Sequence, residues 1–290
     1  HDLVTHSTDD AVIQMSSGCL CCTFRTDLAK TLRQAPGRFA RRGQLWFDRV
    51  VIETTGLADP APILHTLMSD PALEARYCLD GVITTVDAVS GSDTLDRHLE
   101  SVKQVAMADR LLLTKSDISN RDVLTGLQER LRALNPAAAQ IVTENGVVDP
   151  ALLFGVGIYD PKSKSLDVQD WLKAEAYDQL QDRHDAKIKS FCLTLDNPIS
   201  GDALDAWLES LHRFRGEDLL RIKGIFNVAG LDGPVVMHGV QHTFHTPITL
   251  NQWPSEDRRS RIVFITRDID ESELRETLDA LTGKVAIHKV

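Results

Sequence analysis

Phe47-Asp48-Arg49-Val50-Val51-Ile52-Glu53-Thr54-Thr55-Gly56-Leu57-Ala58-Asp59-Pro60 is a nearly continuous apolar, β-branched run that delivers an acid, a turn and then an Asp-Pro pair. A strand that is apolar at successive rather than alternate positions is one buried on both faces, as in a parallel sheet covered by helices. The pattern therefore predicts a strand over 47–52 with Glu53 at its carboxyl end and Thr54-Thr55-Gly56 as the turn. Asp59 reads as a helix N-cap with Pro60 at the first helical position, and Ile63, Leu64, Leu67 and Met68 mark the buried face of the helix that follows.

Working outward, the same unit recurs. Gly81 to Asp87 reads as a strand, Leu95, Leu99, Val102 and Ala106 as one helix face, and Leu111-Leu112-Leu113 as a strand ending at Thr114-Lys115-Ser116-Asp117. Val123, Leu124, Leu127, Leu131 and Leu134 form a further helix closed by Asn135-Pro136. Toward the start of the chain, Ala11 to Met15 is a short apolar run ended by Ser16-Ser17-Gly18, and Phe24, Leu28 and Leu32 give a helix that Pro36-Gly37 is expected to stop. This alternation implies an α/β fold with a doubly wound, mainly parallel sheet, whose ligands sit outside the carboxyl ends of the strands. Cys19 to Cys22, Glu53 to Gly56 and Thr114 to Asp117 all fall at such ends.

From about Asp160 to Asp185 the composition turns to Asp, Lys, Gln and Ser, with one helix around 168–180, and reads as a polar connector. Beyond it the order β-α-β-β-β-α, with strands at 187–195, 219–228, 235–244 and 261–266, suggests a smaller α+β domain. The expected division is 1–160, a linker at 161–186, and 187–290.

The 290 residues are 42% hydrophobic and 26% charged, which suits a soluble globular protein, and a net charge of -10 argues against nucleic acid or an anionic membrane as the main partner. No apolar run reaches the roughly 20 residues a bilayer demands. The chain opens on His1 rather than Met, as a fragment would, and no basic-then-apolar leader is seen, so a reducing cytoplasm is the expectation.

Three of the five cysteines, Cys19, Cys21 and Cys22, fall within four positions. Clustered thiols between a strand end and a helix start suit a soft metal such as Zn²⁺, although a redox pair at Cys19 to Cys22 and inert buried thiols remain alternatives. Lys115 and Asp117 suit guanine recognition, because one carboxylate can accept from the N1-H and the N2 amino group together; a solvated loop is the plain alternative. Glu53 with Gly56 matches the need of a phosphate site for one carboxylate near Mg²⁺ and one unhindered N–H near a γ-phosphate, against a surface glutamate. His238 and His242 would share a strand face and His245 would not, as ordinary sheet histidines; Cys78 and Cys192 read as lone buried thiols.

Taken together, Gly18-Cys19-Leu20-Cys21-Cys22-Thr23, the run Val50 to Pro60, Thr84-Thr85-Val86-Asp87-Ala88 and Thr114-Lys115-Ser116-Asp117 resemble the CobW-like family of P-loop GTPases, proposed metal chaperones. Leu220 to Ile225 and Ser260 to Ile265 look like that family's C-terminal domain. The resemblance implies that Cys19, Cys21 and Cys22 hold Zn²⁺ or Co²⁺, and that Glu53 stands in the place of the Walker B acid. Gly56 would begin the second switch, and Thr114, Lys115 and Asp117 would read the base. It implies GTP and Mg²⁺ as cofactors, GTP/GDP and a client metalloprotein as partners, and leaves a homo-oligomer open. The family's G-x-x-x-x-G-K-[ST] loop does not occur in the 290 residues, and Thr114 stands where the family usually has Asn. In the family that loop lies upstream of the position of His1, so truncation is the expectation. A non-hydrolysing zinc-binding module is the rival reading, with a thiol redox protein third.

Overall fold

The computed structural model describes residues 23–45, 47–155, 172–178 and 187–282. The strand expected at 11–15 and the cysteines Cys19, Cys21 and Cys22 lie outside the described residues.

Helix α1 (Thr23–Arg38) runs through Pro36 rather than stopping at it. Proline cannot donate to the Leu32 carbonyl one turn back, but the Tyr77 hydroxyl donates to that same oxygen at 2.8 Å. A tertiary hydrogen bond thus offsets the local defect. Strands β1 (Ala40–Arg41) and β2 (Gln44–Leu45) form a small antiparallel pair.

The strand expected over 47–52 does not form: residues 49–55 have no regular structure, and Val51 is 81% exposed. A strand requires a neighbour to pair its N–H and C=O groups, and among the described residues none lies beside this segment. The chain then enters α2 (Ala61–Ser69), where the Asp59 carboxylate accepts from the Ala61 N–H at 3.0 Å. Ile63, Leu64 and Met68 are buried, as the spacing predicted. A single turn, α3 (Pro71–Glu74), follows.

The parallel sheet comprises β3 (Ile83–Asp87), β4 (Arg110–Thr114) and β5 (Ala139–Val142) in that order, with Asp87 in register with Thr114. Between β3 and β4 the expected single helix is two, α4 (Gly91–Arg97) and α5 (Leu99–Met107), because His98 takes an extended conformation between them. Helix α6 (Arg121–Leu134), capped by the Asn120 side chain, crosses from β4 to β5 and buries Leu127, Leu131 and Leu134.

The segment read as a polar connector also contributes to the core. Leu172, and Tyr177 on α7 (Ala174–Asp178), are buried among residues of both sheets. The second part is β6 (Ile188–Leu195), α8 (Gly201–Arg215), β7 (Leu219–Phe226), β8 (Val235–Val240), β9 (Thr243–Phe244), β10 (Ile248–Thr249), β11 (Ser260–Arg267) and α9 (Glu271–Leu281). This is the expected order with two short strands added. Its antiparallel sheet runs β10-β8-β7-β11-β6, with β9 beside β8. Trp207 of α8 fills one face, edge-on to Phe264 and donating to the Thr277 hydroxyl at 3.1 Å. The other face meets the parallel sheet, so that Leu111, Leu127 and Leu131 share one apolar cluster with Val236, Val263 and Ile265. Among the described residues no helix is long and apolar enough to cross a membrane.

Candidate functional site

The carboxyl ends of β3, β4 and β5 are held together by the loop that leaves β4. Lys115 takes the left-handed conformation (φ 58°), which is uncommon for a residue other than glycine, and turns the chain into a short 3₁₀ segment over Ser116–Ile118. Four hydrogen bonds fix the loop. Ser116 donates to the Thr143 carbonyl (2.9 Å), Ser119 to the Ala88 carbonyl (3.0 Å), the Ala88 N–H to the Thr114 carbonyl (2.8 Å) and the Thr143 N–H to the Leu113 carbonyl (2.9 Å).

Asp87 ties this loop to the neighbouring strand. Its carboxylate accepts from Lys115 Nζ at 2.6 Å and from the N–H groups of Val89 (2.7 Å) and Ser90 (3.1 Å). Burial would raise the carboxyl, but these hydrogen bonds outweigh it and pull it down to about 2, so Asp87 is ionised at neutral pH. Asp117 is exposed and accepts no hydrogen bond from a described residue, which leaves its carboxylate available to a ligand. Thr114 ends β4, its hydroxyl within 3.4 Å of the Val86 carbonyl. Lys115 and Thr114 are thus tied to β3, through Asp87 and Val86, with Asp87 a member that the spacing alone did not reveal; Asp117 stands exposed on the same loop.

Glu53 and Gly56 occupy the irregular segment after 47–52, and both are exposed. This segment is held by α5 instead of by the Lys115 loop. Gln104 Nε2 donates to the Gly56 carbonyl at 3.1 Å and to the Ala58 carbonyl at 2.8 Å, and Lys103 Nζ pairs with Asp59 at 2.6 Å.

At the opposite end of the sheet lies a buried charge cluster. Asp109, just before β4, accepts from the Val82 N–H at 2.9 Å and from Lys223 Nζ at 3.2 Å, and is paired with Arg221. The side chains of Asp109, Arg221 and Lys223 are all within 5% of full burial. Burial alone would raise Asp109, yet the two cations hold it down to about 2; burial and Arg221 lower Lys223 to about 7 despite the same aspartate. His238, buried beside them on β8, is held well below its ordinary value by burial first and by both cations next, and its ring nitrogens have no hydrogen-bond partner among the described residues. The cluster was legible in principle: Arg221 and Lys223 alternate in an otherwise apolar strand, and charges on a buried face need a partner.

The histidines separate. Gln241 (φ 50°) ends β8, so His242 is exposed and sits edge-on to His212 with ring centroids 5.5 Å apart, far from sharing a strand face with buried His238. Cys78 is exposed, contrary to expectation, and Cys192 is half-buried. No group of three or more metal-ligating side chains occurs among the described residues.

Residues 1–142 match the CobW/HypB/UreG nucleotide-binding domain, and residues 188–282 match the cobalamin synthesis protein cobW C-terminal domain. The zinc chaperone YjiA of Escherichia coli is 32% identical over 267 residues, spanning 92% of this chain and 81% of that protein. The chain belongs to the CobW/HypB/UreG family. Another relative, the zinc-regulated GTPase metalloprotein activator 1 of Dictyostelium discoideum, is 26% identical over 97% of this chain and 69% of its own length. Among solved structures, the zinc-bound YjiA GTPase of E. coli superposes with a TM-score of 0.68 at 31% identity, covering 88% of this chain and 75% of that one. A zinc-bound variant of YjiA, with a glutamate and two consecutive cysteines replaced by alanine, gives 0.65. The CobW fold thus assigns the Lys115 loop to the nucleotide-binding part, and the antiparallel sheet to the C-terminal one.

Proposed function

We propose that this chain is a GTP-binding, GTP-hydrolysing metallochaperone that carries zinc at Cys19, Cys21 and Cys22 and couples nucleotide state to delivery of the metal. The observation that supports the reading is the loop after β4, with Lys115 paired to Asp87 and Asp117 exposed at the carboxyl edge of a parallel sheet, where ligands of such folds sit. Membership of a family whose relatives are named zinc chaperones and a zinc-regulated GTPase supports it. In this account Asp117 accepts from the guanine N1-H and N2 amino group, the Lys115 stem lies along the base, and Thr114 contributes its hydroxyl.

Glu53 and Gly56 serve the phosphate end. The Glu53 carboxylate is exposed and engages no described cation, so it is a hard oxygen donor suited to Mg²⁺. Bound there, Mg²⁺ would supply charge neutralisation for the phosphates. Gly56 is exposed, so its N–H is placed to meet a phosphate.

Zinc, or cobalt, is the cargo. Three thiolates in four residues suit a soft or borderline cation, and the YjiA variant also carries changes at two consecutive cysteines. A reducing cytoplasm would keep them free of disulfides. A client metalloprotein would receive the metal.

Chelator competition on the full-length protein tests the coupling. Zn²⁺ should bind about tenfold or more differently to the GDP form and to a form loaded with a non-hydrolysable GTP analogue, a typical coupling energy between two sites. Cys21→Ser with Cys22→Ser should abolish that difference. Equal affinity in both nucleotide states would overturn delivery coupling and favour a plain zinc-binding module.

A further inference from the structure

Helix α5 joins the Gly56 segment to the C-terminal sheet, and both ends of the connection are built from specific hydrogen bonds. Facing the Gly56 segment, Lys103 pairs with Asp59 at 2.6 Å and Gln104 Nε2 serves the carbonyls of Gly56 and Ala58. The Gln104 carbonyl in turn accepts from the Thr84 hydroxyl at 2.9 Å, which registers α5 against β3. Among the described residues, the other backbone hydrogen bond within this segment runs from the Ala58 N–H to the Thr55 carbonyl, at 3.0 Å.

The carboxyl end of α5 is buried, and a buried helix end must have its last carbonyls satisfied from outside. Asn135 Nδ2 donates to the carbonyls of Val105 (2.8 Å), Ala106 (3.1 Å) and Ala108 (2.9 Å). Arg221 of β7 donates to those of Met107 (2.7 Å) and Ala108 (2.6 Å) while pairing with Asp109. A cation from the C-terminal sheet therefore sits at the negative end of the helix dipole. Beside it, Met107 packs with Leu64 and Met68 of α2 and with Val240 of β8, so the helix that follows Asp59 also rests on the C-terminal sheet.

We propose that α5 is the lever through which the C-terminal sheet sets the Gly56 segment, with Gln104 as the positioning residue at one end and Arg221 as the grip at the other. Gln104 touches no reacting atom; by holding the Gly56 and Ala58 carbonyls it fixes the turn that carries the Gly56 N–H. A shift of the C-terminal sheet, as when a partner or metal engages it, moves Arg221 and Val240 and thereby α5. This proposal rests on the phosphate-site reading of Gly56.

The test uses full-length protein and two measurements. Gln104→Leu keeps the volume and removes the donor, and should lower kcat for GTP about tenfold while leaving KM within about twofold, because orientation and not binding is lost. Gln104→Lys, which restores a donor, should recover most of the rate. Amide exchange at Ala58, whose N–H donates to the Thr55 carbonyl, should quicken about tenfold in Gln104→Leu, as the two carbonyl hydrogen bonds that steady this turn are lost. Exchange should quicken likewise in Arg221→Lys, whose single ammonium cannot replace the guanidinium fork, with β4 amides unchanged in both. If Arg221→Lys does not fold, Val240→Ala cuts the same junction more gently. Wild-type kcat in Gln104→Leu, or unchanged exchange at Ala58 in the folded C-terminal variant, overturns the proposal. A wild type that does not hydrolyse GTP sinks the functional reading instead, and exchange on nucleotide-free protein still decides the coupling.

Discussion

Asp117→Asn should convert the protein from a guanine to a xanthine reader. The carboxylate is exposed, and its loop is fixed by the Ser116, Ser119 and Thr143 hydrogen bonds, so an isosteric amide leaves the geometry in place. Against guanine, the amide NH₂ would face the N2 amino group, donor against donor. One hydrogen bond to the charged acceptor is lost and the other, from N1-H, now ends on a neutral oxygen, together about 2–4 kcal/mol, so GTP affinity should fall by about 10–10³-fold. Xanthine carries a carbonyl where guanine carries that amino group, which the new amide can serve. Titration of wild type and variant with fluorescent GTP and XTP analogues reads the swap; GTP affinity within threefold of wild type would exclude Asp117 from base recognition.

Asp109→Asn should give the largest loss of stability. It leaves Arg221 and Lys223 together in a site where all three side chains are about 4–5% exposed. Breaking a buried pair costs about 3–5 kcal/mol, because the partner charges stay buried without compensation. An exposed control, Asp93→Asn, whose pairing with Arg97 is at 3.9 Å and largely in water, should change stability by no more than about 0.5 kcal/mol. Urea midpoints measure both.

The same aspartate fixes an acid limb. Its folded carboxyl is held at about 2, below the unfolded value of about 3.9, so between those values the unfolded chain binds the extra proton. The stability it contributes is complete above about pH 4 and is lost as pH falls toward the folded value. Arg221, Lys223 and His238 face it and carry positive charge or accept it at low pH, so nothing nearby reverses the sign. The variant should therefore show a shallower loss between pH 4 and 2 than wild type.

How much of this was legible depended on whether the determining contacts were local. The loop Thr114 to Asp117 could be placed because Leu111, Leu113 and the helix face Leu127, Leu131 and Leu134 all bury as their spacing demands. The run 47–52 was misread because a strand is a property of a pair: its composition suits a buried strand, but no described neighbour offers a ladder. Pro36 was misread for the converse reason, since Tyr77, 45 residues downstream of Leu32, supplies the missing donor. Gln104 and Asn135 carry no local signature at all. Their amides matter because of what folding brings to them, namely the carbonyls of a loop and of a helix end.

The claim on which the account stands is that this chain belongs to a working GTPase whose base is read at Lys115 and Asp117. The direct measurement is phosphate release from GTP by full-length protein in the presence of Mg²⁺ and Zn²⁺, compared with a variant carrying Lys115→Ala and Asp117→Ala. Wild type should release phosphate at a saturable rate, and the variant should lose at least about 10²-fold in kcat/KM through nucleotide binding. Equal phosphate release by the two proteins would contradict the account.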